Sequence, residues 1–308
     1  MKDKSIFAPD DSFSALIKKA KRKSLKRSII ISIFVTIGML ILLWGFLYVG
    51  QYFMYERMDK DVKETTDYTQ MVGANVYPGG GTYDHFFIAS TSNVSAYKEV
   101  NGHIINWHST STFHTIFGTK STLNTSTFQE VNHAIYNNNY KMVKFHLPNV
   151  EAVHNDVDYL ESLPDFYSVE VALSFDEELT LEEVYQTFPT ASWLWVASDQ
   201  LKAERSAESK NSSAFKGDFS EINGDDAVGF PVDPTKPFME GAEQYLSFLK
   251  GQSNKLVGAK DVLATMNYQN LNEIPIAGVI LTGTVEEILP YTKKQPVRVV
   301  RTGVIIPY

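Results

Sequence analysis

Cysteine is missing from all 308 residues. Disulfide staples and thiolate metal sites are therefore excluded, and any folded part must be held by its core. Charge is missing over one stretch: from Ile29 to Tyr55 there is no Asp, Glu, Lys or Arg. Histidine is confined, with all seven lying between His85 and His154. Their spacing contains no HxxxH or HExxH pair, so a metal site is not expected. No GxSxG, HExxH, kinase or β-lactamase pattern occurs, which points away from an enzyme. Gly79, Gly80 and Gly81 follow Pro78 and mark a loop. They lack the spacing and the lysine of a phosphate-binding motif, and no cofactor is expected.

The uncharged stretch demands a solvent of its own. About 20 residues of helix cross a hydrocarbon core of roughly 30 Å, and the run from Ile29 is longer than that. A cleaved signal peptide would need a shorter run and a small-residue cleavage site. This run ends instead in Trp44, Tyr48, Tyr52, Phe53 and Tyr55, the aromatic belt of a membrane interface. Residues 1–28 carry nine Lys/Arg against three acids, and the remaining 280 carry 19 against 33, so +6 stands beside −14. The positive-inside rule then puts residue 1 in the cytoplasm and residue 308 outside. A net negative outer part argues against nucleic-acid binding there.

Within the tail, Pro9, Asp10, Asp11 and Ser12 form a helix-start signal. Phe13, Leu16, Ile17 and Ala20 fall at i, i+3, i+4 and i+7, which makes one apolar face. Together with Phe7 they form a candidate surface for a cytosolic partner. Lys18, Lys19, Lys21, Arg22, Lys23, Lys26 and Arg27 suit anionic lipid heads and set the topology. A plain basic stop sequence accounts for the same cations, and both uses fit one helix.

Residues 56–70 predict a short helical extension. Residues 71–164 are rich in Asn, Thr, Ser, Tyr and Phe, with β-like stretches at His85 to Ala89 and His103 to Trp107. Lys141 to Leu147 reads as an alternating strand. From 165 onward two segments read alike. Tyr167 to Phe175, Thr180 to Phe188 and Ser192 to Val196 give strand, helix, strand. Ile274 to Thr282, Thr284 to Tyr291 and Val297 to Ile306 repeat the order. Thr180 with Glu183, and Thr284 with Glu287, have the spacing of capping boxes. The pairs Glu182/Glu183 and Glu286/Glu287 are helix-start residues rather than catalytic carboxylates. Two tandem βαβ units are the content of a ferredoxin-like sandwich. An insertion at about 197–273 separates them. Its polar part, 203–226, is expected to be mobile, and helices are expected at Phe238 to Lys250 and Lys260 to Tyr268.

Short motifs in the same order extend this reading. Phe13 to Asp61, with Leu16 to Ser24 leading straight into the apolar run, resembles the sigma factor regulator N-terminal domain. Val171 to Asp176, Leu181 to Val184, Trp193 to Val196, Gly229 to Pro231, Phe248 and Leu249, Ile276 to Thr284 and Gly303 to Tyr308 resemble that family's C-terminal domain. The resemblance implies a membrane-bound regulator of the anti-sigma type. Such a protein would control an extracytoplasmic-function sigma factor from the cell membrane in response to envelope signals. A tail this short supplies one helix, so its partner is either the sigma factor or a companion anti-sigma subunit. An envelope ligand or protein would engage the outer domain. The expected class is α+β: cytoplasmic tail 1–28, transmembrane helix 29–55, β-rich region 56–164 and C-terminal domain 165–308. Two other functions stay open at this point. One is a membrane-anchored binding module without a sigma partner. The other is an envelope enzyme using His103, His108 and His114.

Overall fold

The computed structural model describes residues 11–124, 126–132, 134–148, 154–196, 221–255, 259–265 and 270–307. Phe7, the start signal at Pro9 and Asp10, His133 and most of the polar stretch 203–226 lie outside the described residues.

Helix α1 runs unbroken over Asp11–Met71, 61 residues. The tail helix, the apolar run and the extension beyond it are thus one element. No proline interrupts it, and proline is the residue that would break an interior turn. One window of this helix is long and apolar enough to cross a membrane, and none of that window is buried inside the protein. A core helix of a water-soluble fold would bury it.

Past Met71 the chain folds back on the helix. Strands β1 (Tyr77–His85), β2 (Ala89–Val100), β3 (His103–Thr115) and β4 (Lys120–Asn124) form an antiparallel sheet in that order. Asn101 and Gly102, both at positive φ, turn β2 into β3, as a two-residue hairpin requires. The glycine triplet lies inside β1 rather than in a loop, at a register shift between Pro78 and Gly81. A Cβ on Gly81 would meet Val62 Cγ1 at 2.8 Å, so glycine lets the strand press onto α1. Of the stretch His85 to Ala89 only the two ends are strand, and residues 86–88 form the β1–β2 turn. Its Phe86, Phe87 and Ile88 are exposed.

Strands β5 (Phe128–Val131), β6 (Ala134–Asn137) and β7 (Tyr140–Lys141) make a small second sheet. The alternation expected over Lys141 to Leu147 is absent. The strand breaks after Lys141 and resumes as β8 (Lys144–His146), and Met142 through Leu147 are all buried. This segment lies between packed layers, so neither of its faces meets water.

Helix α2 (Val157–Glu161) precedes the repeated units. The first is β9 (Ser168–Leu179), α3 (Leu181–Thr187) and β10 (Ala191–Val196). The second is β13 (Ile276–Thr284), α6 (Val285–Thr292) and β14 (Val297–Ile306). Between them lie β11 (Glu221–Asn223), β12 (Gly229–Pro231), α4 (Phe238–Gln252) and α5 (Ala259–Thr265). Both capping boxes close: Thr180 accepts from the Glu183 amide and Thr284 from the Glu287 amide, and each glutamate reaches back to its cap.

The main sheet is antiparallel throughout, in the order β12-β10-β13-β9-β14. Each unit's two strands are separated in the sheet by a strand of the other unit. One face carries Val171, Leu173, Phe175, Leu194 and Val279, which pack with Leu181, Val184, Phe238, Ala242, Tyr245, Leu249 and Ile288 from the helices. The insertion therefore covers the sheet. The opposite face, with Ala172, Trp193, Trp195 and Ile280, packs on Val143, Phe145 and Ile222 from β8, β11 and the residue before β8. A sheet buried on both sides explains why eight consecutive residues of β9 are buried.

Candidate functional site: the two ends of the long helix

At its N-terminal end α1 presents large apolar side chains to the outside. Phe13, Leu16, Ile17 and Ala20 fall on one face of the helix, and all four are exposed. Lys18, Lys19, Lys21, Arg22, Lys23, Lys26 and Arg27 ring the helix alongside and just beyond that face, likewise exposed. Together they form an exposed apolar patch followed by a basic collar.

The other end is seated in the fold. Met71 belongs to the main core. The Tyr245 hydroxyl donates to its carbonyl at 2.9 Å, and the Gln252 amide donates to Asp67 Oδ2 at 2.9 Å. Burial pushes the Tyr245 hydroxyl's pKa well up, keeping it a neutral donor. The chain leaving the helix is pinned as well. The amide of Gly73 donates to the Ala227 carbonyl at 3.0 Å, and that of Ala74 to the Gly224 carbonyl at 2.7 Å. Val72 bridges Val228 in antiparallel fashion. Beside this seat opens a pocket of about 320 Å3, lined by Gln70, Tyr77, Trp193, Phe230, Tyr245 and Phe248 among others.

Two buried charge clusters brace the main sheet: one ties it to the N-terminal sheet, the other to β7, β8 and β11. Lys98 of β2 donates to both oxygens of Glu170 of β9, at 2.8 and 3.1 Å, and both side chains are 0% exposed. Asn75 also donates to Glu170, at 3.1 Å. The Lys98 ammonium sits 4.2 Å from the centre of the Trp107 ring, a cation–π contact strengthened by burial. The Trp107 indole in turn donates to Asp225 Oδ1 at 2.7 Å, and His108 Nε2 lies 3.1 Å from Asp225 Oδ2. Burial alone would raise the Asp225 carboxyl's pKa. The His108 contact, the Lys98 charge and the indole outweigh it and hold the pKa low.

In the second cluster Glu221 receives Lys144 at 2.7 Å, His146 at 3.1 Å and Arg301 at 3.2 Å. Burial opposes these contacts, yet together they bring its pKa down to about 2. Asp156 is held by Lys141 at 2.6 Å, with Arg301 at 3.6 Å. Matched charges of this kind clamp elements together, because a buried charge without a partner is costly.

His103, His108 and His114 do not converge. They sit along one strand, and at roughly 3.3 Å per residue the outer two are about 35 Å apart. His108 faces Asp225, His114 approaches Asp61 of α1 at 3.6 Å, and His103 is exposed. Among the described residues no group of three or more His, Asp or Glu could hold a metal. The buried Lys98, Glu170, Glu221 and Arg301 were missed in the sequence. The available signal was a lone charge inside a run of Val, Ala and Leu, as at Glu170.

Comparison with known proteins adds one finding. A family model described as "Sigma factor regulator C-terminal" matches residues 160–304, which take in α3, α4, α5, α6 and nearly all of the main sheet. No curated protein and no solved structure matches the chain. The whole of both repeated units lies inside that match, save the last two residues of β14, so this part of the chain is similar to the C-terminal domain of sigma factor regulators, a regulatory family.

Proposed function

We propose that the chain is a single-pass membrane regulator of an extracytoplasmic-function sigma factor. Residues 1–28 face the cytoplasm, and everything beyond the crossing lies outside the cell membrane. The patch of Phe7, Phe13, Leu16, Ile17 and Ala20 binds the sigma factor or a companion anti-sigma subunit. The basic residues from Lys18 to Arg27 lie on anionic lipid heads. The domain outside reads an envelope ligand or protein and passes its state inward. The interleaved strand order of its two units supports a ferredoxin-like sandwich.

One observation carries this reading: a single unbroken helix joins an exposed apolar patch to the core of the family's domain. Two supports stand beside it. The apolar window of that helix is unburied, and the charge asymmetry obeys the positive-inside rule.

The test is Phe13→Asp combined with Leu16→Asp in the full chain. Recovery of the cytosolic partner from detergent extract should be lost while membrane insertion is retained. Unchanged recovery counts against the tail as the binding element. Single cysteines introduced by Ser5→Cys and Tyr308→Cys test orientation with a reagent that cannot enter cells. It should label position 308 and spare position 5.

A further inference from the structure

Two loops of the N-terminal sheet carry large apolar side chains that stand exposed. The β1–β2 turn presents Phe86, Phe87 and Ile88, and the β3–β4 turn presents Phe117. Phe87 is 72% exposed and Phe117 69%. Scattered exposed hydrophobics need no explanation, but a contiguous set does.

Their height along α1 supplies it. The Gln51 side chain donates to the Phe87 carbonyl at 2.9 Å, and the rings of Phe46 and Phe117 lie 6.5 Å apart. Ile116 packs against Met54 and Met58, with Leu47 and Tyr55 alongside. The tips thus sit beside residues 46–55 of the helix, still within the uncharged run. That run is 27 residues long. At about 1.5 Å per residue it measures roughly 40 Å, some 10 Å more than a hydrocarbon core. Its last turns therefore belong to the headgroup zone, where Tyr48, Tyr52 and Phe53 form an aromatic belt. Charge begins just behind the tips. Arg57 donates to the Thr115 carbonyl at 3.0 Å, and Lys120 pairs with Asp61 at 2.8 Å.

The loop backbone suits that depth. Phe86 N–H donates to the Ala89 carbonyl, Ile116 N–H to the Ile88 carbonyl and Gly118 N–H to the Thr115 carbonyl. Gln51 takes up the Phe87 carbonyl. Irregular backbone is excluded from the hydrocarbon core but tolerated at the interface, which is where this placement puts it.

We infer that the Phe86–Ile88 and Phe117 loop tips dip into the bilayer surface beside α1, giving the folded body a second, lipid-held attachment to the membrane. This rests on α1 crossing the bilayer. One attachment leaves a body free to tilt about the helix; two spaced contacts fix its angle.

The absence of cysteine makes the test clean, since each introduced thiol is unique. The full chain is reconstituted into vesicles of phosphatidylcholine and phosphatidylglycerol containing a lipid with a nitroxide near its headgroup. A fluorescent label is placed in turn by Trp44→Cys, Phe87→Cys, Phe117→Cys and Ile104→Cys. Ile104 is exposed at the far end of β2 and β3, about 40 Å away along the strands. The expected result is the same fractional loss of fluorescence at positions 87 and 117 as at 44, with none at 104. Loss at 44 alone overturns the inference and leaves the membrane crossing standing. No loss at 44 overturns both.

Discussion

The Tyr245 hydroxyl closes a hydrogen bond onto the carbonyl of Met71 across 174 positions of sequence. Carbonyls in the last turn of a helix have no partner within it, so α4 caps α1 from outside. Tyr245→Phe removes the donor and leaves that carbonyl buried. The expected cost is about 1–3 kcal/mol, read from urea unfolding of the full chain in detergent. Amide exchange at residues 67–74 should also quicken. Unchanged exchange there would mean that the seat is held by packing alone.

The Lys98–Glu170 pair predicts a contrast. Glu170→Ala strands a buried ammonium and should cost about 3–5 kcal/mol. Replacing both partners, Lys98→Met with Glu170→Leu, should recover most of that loss, because two apolar groups need no partner. If the double variant is no better than the single one, the pair contributes by shape rather than charge.

Acid should unfasten the interior in two windows. Glu221 ionises at about 2 in the folded chain, against 4.5 ordinarily. Its contribution is complete above pH 4.5 and fades as pH falls towards 2. Asp156 and Asp225 are shifted in the same direction and add to that window. Burial lowers the His114 pKa below its ordinary 6.5, so its contribution begins to fade below that pH. Glu221→Gln should flatten the lower window and leave the upper one. An unchanged acid profile would show that other carboxylates dominate.

Gly303 has no room for a side chain. A Cβ there would collide with Val143 and with the Glu170 carboxylate. Gly303→Val should destabilise by about 1–3 kcal/mol through overpacking, and more if it displaces Glu170 from Lys98. A melting temperature equal to that of the parent chain would contradict this.

How far the sequence could be read follows from the range of its signals. Thr180 with Glu183 and Thr284 with Glu287 are local, three residues apart, and both helices start where they say. The apolar run is local too. The seat of Met71 depends on Tyr245, and Lys98 depends on Glu170. Such partners lie 72 or more positions apart, and no periodicity links them. Residues 141–147 misled for a related reason. Alternation assumes one wet face, and this segment has none. Phe86, Phe87 and Ile88 read as strand because they are apolar, although they form a turn whose side chains remain outside the core. Phe13, Leu16, Ile17 and Ala20 share a helix face as their spacing predicts, because helical period is a local property.

The 61 residues of α1 amount to a rod about 90 Å long. Nothing in it is a proline hinge, so its two ends share one azimuth. A twist of the body about the rod axis would swing Phe13 through a comparable arc without sliding it towards or away from the bilayer. In the proposed regulator a signal carried this way is coded as compass bearing, and inserting a single residue near Leu43 would spoil it by about 100° while leaving both ends intact.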